Sequence, residues 1–166
     1  ETDTDEGLHK RFVFKFRTGE AIRKFVDGQD LVRYSQRGPV TPDHAIRIKP
    51  LPVILPPPVG GFDGFTEQAA AAIGEYQRAY SAYVARNNTD AGALKTPLDP
   101  SPRILLLPGL GFFATGDNAK AATVAADLYE NNIEVIADAE TLGAYESISE
   151  ADMFDIEYWS LEQAKL

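Results

Sequence analysis

The sequence has 166 residues, 44% of them hydrophobic, which is enough for one ordinary hydrophobic core. Sixteen basic residues against 25 acidic ones give a formal net charge of −9, which argues against a nucleic acid or an anionic membrane as a partner. The sequence contains no cysteine, which excludes disulfides and thiolate metal sites and favours a reducing, cytoplasmic compartment. The first residue, Glu1, is not methionine and no signal peptide follows it, so we expect a piece of a longer protein.

The N-terminal third contains several short elements. Strict alternation from Lys10 to Arg17 predicts a half-buried strand with its aromatic residues on one face, namely Phe12, Phe14 and Phe16. Thr18 is the predicted cap of a short helix that ends at Gly28, and a second short helix is predicted over about Asp30 to Tyr34. Alternating isoleucines predict a strand over Ala45 to Lys49.

The prolines that follow allow at most an edge strand over Leu51 to Leu55. Phe65 to Arg86 has the apolar stripe of an amphipathic helix, with Thr66 as its cap. Three tyrosines of this stripe could stack on bases or sugars, but we interpret them as core residues whose hydroxyls reach the rim: Tyr76, Tyr80 and Tyr83. The polar stretch from Asn87 to Pro102 reads as a loop.

A glycine turn follows the apolar strand predicted over Ile104 to Leu107. Its sequence motif, Gly109-x-Gly111-x-x-Ala114, matches that of a dinucleotide-binding turn. Such a turn needs a helix that starts within the glycines. Two phenylalanines occupy that place, and the long helix that ends near Leu142 is predicted to start at Asp117, whose carboxylate would repel a phosphate. These observations disfavour NAD binding.

Candidate binding residues cluster between the short helices and the proline segment. A sugar phosphate could be bound jointly by four of these residues: Arg37, Thr41, His44 and Arg47. A neighbouring carboxylate or hydroxyl would fix the tautomer of the His44 imidazole. The alternative is that Thr41 opens a turn whose side chains bond their own backbone. The two histidines, His9 and His44, are not at metal-ligand spacing, and no Gly-x-Ser-x-Gly nucleophile motif occurs. The carboxylates of the segment from Ser149 to Leu166 are interpreted as helix caps rather than as acid–base groups.

Two segments resemble a known family. "RGPVTPDHAIRIK", at 37–49, resembles a segment of long class II aldolase/adducin-type proteins, and "FDIEYWSLEQAKL", at 154–166, resembles the segment that precedes their short-chain dehydrogenase domain. The family is that of the bacterial bifunctional rhamnulose-1-phosphate aldolases/alcohol dehydrogenases. This resemblance implies a three-layer α/β fold with a mostly antiparallel or mixed sheet covered by helices, in a cytoplasmic oxidoreductase of sugar catabolism.

The stretch from Leu105 to Ser149 resembles the class II aldolase layout of strand, Gly-Leu turn and alanine-rich helix. Pro108 stands where the family has a metal-binding histidine, which implies a half-repeat without chemistry. The resemblance implies that residues 1–58 end an aldolase-like domain and that residues 59–166 form the degenerate half-repeat.

The resemblance also implies which groups lie outside this chain. Zinc would belong to an aldolase part before Glu1 and NAD to a dehydrogenase part after Leu166, so we expect no catalytic residue, metal or cofactor here. The expected role is a linking scaffold whose partner is the rest of its own polypeptide, within a homo-oligomer. The alternatives are a free-standing sugar-phosphate-binding protein and, less favoured, a nucleotide-binding domain.

Overall fold

A computed structural model describes residues 2–3, 9–57, 62–89 and 94–166. The acidic N-terminal stretch, the side chain of His9, the domain boundary predicted between Pro58 and Val59, and part of the loop predicted over Asn87 to Pro102 lie outside the described residues.

The described residues form strands and helices in the following order: β1 Thr2–Asp3, β2 His9–Lys10, β3 Val13–Arg17, α1 Glu20–Val26, α2 Leu31–Ser35, α3 Pro42–Ile48, β4 Val53–Ile54, α4 Phe62–Asn87, β5 Ile104–Leu107, β6 Gly111–Gly116, α5 Ala119–Leu142, α6 Glu150–Glu157 and α7 Ser160–Gln163.

Four strands form one mixed sheet in the order β3-β6-β5-β4. β6 is antiparallel to both of its neighbours, whereas β4 and β5 are parallel. The predicted mixed sheet is therefore confirmed. Strand β4 lies at an edge of the sheet, as expected for a strand flanked by prolines, which have no N–H to donate to a neighbouring strand. The sheet takes β3 and β4 from the first 58 residues and β5 and β6 from the remainder.

Helices cover both faces of the sheet, which gives the expected three layers. On one face, Ile104, Leu106 and Phe112 are buried against apolar residues of α1 and α5, among them Tyr129 and Ile136. On the other face, alternate residues of β4 and β5 pack against α4. Because side chains alternate across a strand, the continuous apolar run of β5 supplies both cores.

The strand predicted over Ala45 to Lys49 is wrong, because these residues belong to α3 and its C-terminal cap. Thr41 is the N-cap and its hydroxyl accepts from the backbone N–H of His44, while Pro42 occupies the first turn. A threonine N-cap followed by a proline in the first turn favours the start of a helix over a strand. His44, Ala45 and Ile48 are consequently buried together.

Three predicted helix starts are also wrong. The helix expected over Phe65 to Arg86, with Thr66 as its cap, begins at Phe62. α5 is capped by Asn118, whose side chain accepts from the N–H of Ala121 at 2.9 Å, and not by Asp117. Gly19, not Thr18, is the N-cap of α1, and the hydroxyl of Thr18 instead donates to the carbonyl of Leu110 at 2.6 Å.

Strand β3 turns its aromatic face away from α5. Phe14 and Phe16 are 56% and 42% exposed, so the aromatic face of the strand is largely open to solvent. On the opposite face, Arg17 forms ion pairs with Asp127 and Glu130 of α5, at 2.5 Å and 3.3 Å. Charge pairing, rather than aromatic burial, joins this edge strand to its covering helix.

Candidate functional site

The glycine motif forms the turn of a β-hairpin. Residues 108–110 connect β5 to β6, and the N–H of Leu110 donates to the carbonyl of Leu107 at 3.0 Å. Gly109 and Gly111 have φ values of +86° and +142°, so both glycines occupy backbone conformations that favour glycine. A strand follows the turn, and α5 begins only at Ala119. Dinucleotide binding at this motif requires the following helix to begin within the glycines, and this helix does not.

The four predicted binding residues contact different parts of the molecule. Arg37 is exposed after α2, whereas Thr41 is engaged as the cap of α3, and its hydroxyl lies 2.7 Å from Nδ1 of His44. Arg47 donates to the backbone carbonyl of Lys165 at 3.0 Å. Burial lowers the pKa of His44, and the Asn131 side chain and the Leu128 carbonyl partly oppose that shift. The arrangement matches the alternative in which Thr41 bonds its own backbone, and a shared sugar-phosphate site stays a prediction.

A buried charged cluster that the sequence analysis did not predict joins α3, α4 and α6. The side chains of Lys49 and Glu157 are only 6% and 1% exposed, and Nζ lies 3.9 Å from Oε1. The same ammonium lies 3.7 Å from the ring centre of Tyr80, whose hydroxyl donates to Glu157 Oε1 at 2.7 Å. The Tyr158 hydroxyl lies 3.1 Å from that of Tyr80 and accepts from the N–H of Leu98.

Burial dominates the electrostatics of this cluster. It lowers the pKa of Lys49 to about 8, although Glu157 opposes the shift. Burial also raises the pKa of Glu157, against the opposing effects of Lys49, Tyr80 and Tyr83. The hydroxyl of Tyr80 is directed inward to a carboxylate, and the hydroxyls of Tyr76 and Tyr83 are buried as well. The prediction that these hydroxyls would reach the rim is therefore wrong for all three tyrosines.

The backbone of Lys49 is strained. With φ at +64° and ψ at 167°, it occupies a region that is almost restricted to glycine, and it is the one non-glycine residue with positive φ among the described residues. The contacts of its side chain with Tyr80 and Glu157 hold this conformation at the end of α3. Strain together with a shifted pKa is typical of functional residues.

The described residues do not fit the zinc ion that the resemblance implies for the longer protein. No group of three His, Cys, Asp or Glu side chains among them is close enough together to bind a metal ion. Pro108, at the predicted metal position, lies in the hairpin turn, and its side chain offers no lone pair. Likewise, within the described residues no helix is long and apolar enough to cross a membrane.

The fold is a three-layer α/β domain, and comparison with known families agrees with it. Residues 2–166 match the family described as aldolase class II, second domain, and the chain belongs to this family.

One relative is the "uncharacterized oxidoreductase YuxG" of Bacillus subtilis strain 168, with 27% identity over 159 residues. The match covers 95% of this chain and 23% of that protein, so the chain spans less than a quarter of the length of this curated relative. No solved structure matches the chain.

Proposed function

We propose that the chain is a non-catalytic scaffold domain of a longer protein that combines a class II aldolase part with an oxidoreductase part. Support comes from the aldolase family match and from a relative named as an oxidoreductase that is about four times as long. In this proposal the longer protein cleaves rhamnulose 1-phosphate, and the zinc and NAD sites belong to its other domains. This chain positions those domains.

Helices of the described residues leave half of one sheet face open, and this uncovered half of the sheet is the observation that carries the proposal. α4 packs on β4 and β5, whereas the same face of β3 and β6 carries Phe14 and Phe16 in contact with Phe113. The ring centroids of Phe16 and Phe113 are 4.9 Å apart, and both β3 phenylalanines are about half exposed. A contiguous exposed aromatic surface of this kind is typical of a contact between domains.

The apolar character of this surface indicates its partner. The charged Arg17 lies on the opposite face of β3 and is already paired with Asp127 and Glu130, so the face of Phe14 and Phe16 presents rings rather than charge. An apolar surface on a neighbouring domain of the same polypeptide would complement it. We therefore propose that another domain of the same polypeptide covers Phe14 and Phe16. In this proposal the homo-oligomer forms through other surfaces of the longer protein.

The test uses the longer protein with the double substitution Phe14→Ser and Phe16→Ser. Removing the ring contacts with Phe113 should destabilise this chain alone by about 1–2 kcal/mol. Loss of domain contacts should lower the Tm of the longer protein by more than that loss accounts for and should increase proteolysis between domains. Leu142→Ser is the matched control, because Leu142 is 91% exposed at the end of α5. If the double variant behaves like Leu142→Ser, this face is not the domain contact.

The non-catalytic role has a separate test. His44→Ala and Lys49→Met should leave the aldol cleavage and oxidoreductase turnover numbers of the longer protein unchanged once the folded fraction is taken into account. Turnover abolished by either substitution in a folded protein would overturn the scaffold proposal.

A further inference from the structure

A cavity of about 670 Å³ opens between α4, the segment 50–54, the end of α2 and the start of α6. Its volume lies in the range of small-molecule sites, about 300–1,000 Å³. The cavity is separate from the uncovered half of the sheet, since α4 lies between the two.

One wall of the cavity is aromatic and rigid. The rings of Tyr76 and Tyr80 are stacked within 11° of parallel, with centroids 6.4 Å apart, and both line the cavity. The buried cluster fixes Tyr80, because its hydroxyl is bound to Glu157 and Lys49 lies over its ring. A preformed aromatic wall binds a flat apolar group without the entropy loss of ordering the side chains.

Arg37 is the candidate cation at the cavity mouth. It is exposed, lines the cavity and forms no close hydrogen bond or ion pair within the described residues. Its charge helps to lower the pKa of Glu140, but that carboxylate is bound by Arg33 rather than by Arg37. Arg86 on the other lip differs, because it forms an ion pair with Glu150 at 2.9 Å. A free guanidinium at the edge of an apolar cavity favours a carboxylate, sulfonate or phosphate group.

We propose that this cavity binds a small organic anion that carries a flat apolar group, with the anionic group at Arg37 and the flat group against Tyr76 and Tyr80. The site is independent of the scaffold role, since it uses none of the exposed residues of β3.

The probe for the test is 8-anilinonaphthalene-1-sulfonate, an anion with a flat naphthalene group whose fluorescence rises in an apolar site. We expect saturable binding of one molecule per chain. Arg37→Gln should raise the Kd by about fivefold or more, since it removes a charge-assisted hydrogen bond. Ala79→Trp should abolish binding, because Ala79 is an exposed helical residue that lines the cavity and the indole would occupy it.

Two controls separate this site from nonspecific binding. Arg11→Gln removes an exposed positive charge from another surface and should leave the Kd within about twofold. Phe14→Ser with Phe16→Ser removes the other exposed aromatic surface and should have no effect on the Kd. Near-UV circular dichroism confirms that each variant is folded. Absence of saturable binding, binding that survives Ala79→Trp, or binding that is lost in the Phe14/Phe16 variant would overturn the proposal.

Discussion

Gly111 offers the sharpest test of the hairpin. A Cβ on this residue would lie 2.3 Å from the carbonyl oxygen of Arg17 and 3.2 Å from Cα of Thr18. Both are backbone atoms, at the end of the neighbouring strand β3 and in the residue that follows it. Reaching even 3.0 Å requires that carbonyl to retreat by about 0.7 Å. The shift would disturb the Arg17–Phe112 pairing that joins β3 to the sheet.

The expected cost of Gly111→Ala is about 3 kcal/mol of unfolding free energy, the sum of about 2 kcal/mol for the positive φ and about 1 kcal/mol for a weakened backbone hydrogen bond. Gly109→Ala isolates the first contribution. Its φ is +86°, but no atom lies within 4 Å of the added Cβ, so it should cost about 1–2 kcal/mol.

Gly74→Ala is the control of opposite sign. Gly74 lies within α4, and its added Cβ would meet only the flexible end of Arg78 at 3.5 Å, so the substitution should stabilise by about 0.5–1 kcal/mol. Urea unfolding followed by far-UV circular dichroism measures all three variants. If Gly111→Ala costs no more than Gly109→Ala, the close approach of β3 to the turn is not rigid and the reasoning fails.

Lys49→Met should destabilise by about 3–5 kcal/mol because Glu157 loses its partner, and adding Glu157→Gln should recover most of that loss in urea unfolding. The pKa of Lys49 is about 8 in the folded chain, against an ordinary value of 10.5, so the unfolded chain binds more protons between these two pH values. The unfolding free energy of the wild type should therefore rise, relative to that of the double variant, as the pH increases through this window. A difference that stays constant with pH would contradict the pKa shift. Elemental analysis of the purified chain should find no stoichiometric zinc, whereas one zinc per chain would refute the interpretation of Pro108. Millimolar NAD should leave the Tm unchanged, and a rise that Gly111→Ala abolishes would restore the dinucleotide reading of the turn.

Local patterns predicted the elements whose environment is simple. The continuous apolar run of β5 appears where expected, and β3 and α5 lie within their predicted ranges, at Val13–Arg17 and Ala119–Leu142. β6 was missed because its Phe112 and Phe113 are adjacent apolar residues that pack into opposite layers, so no alternation is visible. The glycines before them also had a known helical alternative, which drew the interpretation away from a hairpin.

The charged cluster could not be predicted because its members are distant in the chain. Lys49 and Glu157 are charged residue types that are almost never fully buried unless they are paired, and nothing local to either indicates the pairing. One weak signal was present. Glu157 follows Phe154 by three residues, which places it on the same helix face as that buried ring. Read in this way, the carboxylate belongs to the core face of α6 rather than to a cap.

The path of α4 explains both the cavity and the uncovered sheet. Its first half packs Phe65, Ala69 and Ile73 on β4 and β5, while its second half turns Tyr80 and Tyr83 to Phe154 and Tyr158 near α6. The second half of α4 packs near α6, where the Tyr80 hydroxyl binds the buried carboxylate of Glu157, and not on β3. This contact helps to fix the position of the helix, the tyrosine rings line the cavity, and Phe14 and Phe16 remain available to a neighbouring domain. If this is correct, Tyr80→Phe, which removes only the hydroxyl that binds Glu157, should loosen the second half of α4 and accelerate its amide hydrogen exchange, while amides of β5 and β6 keep their protection.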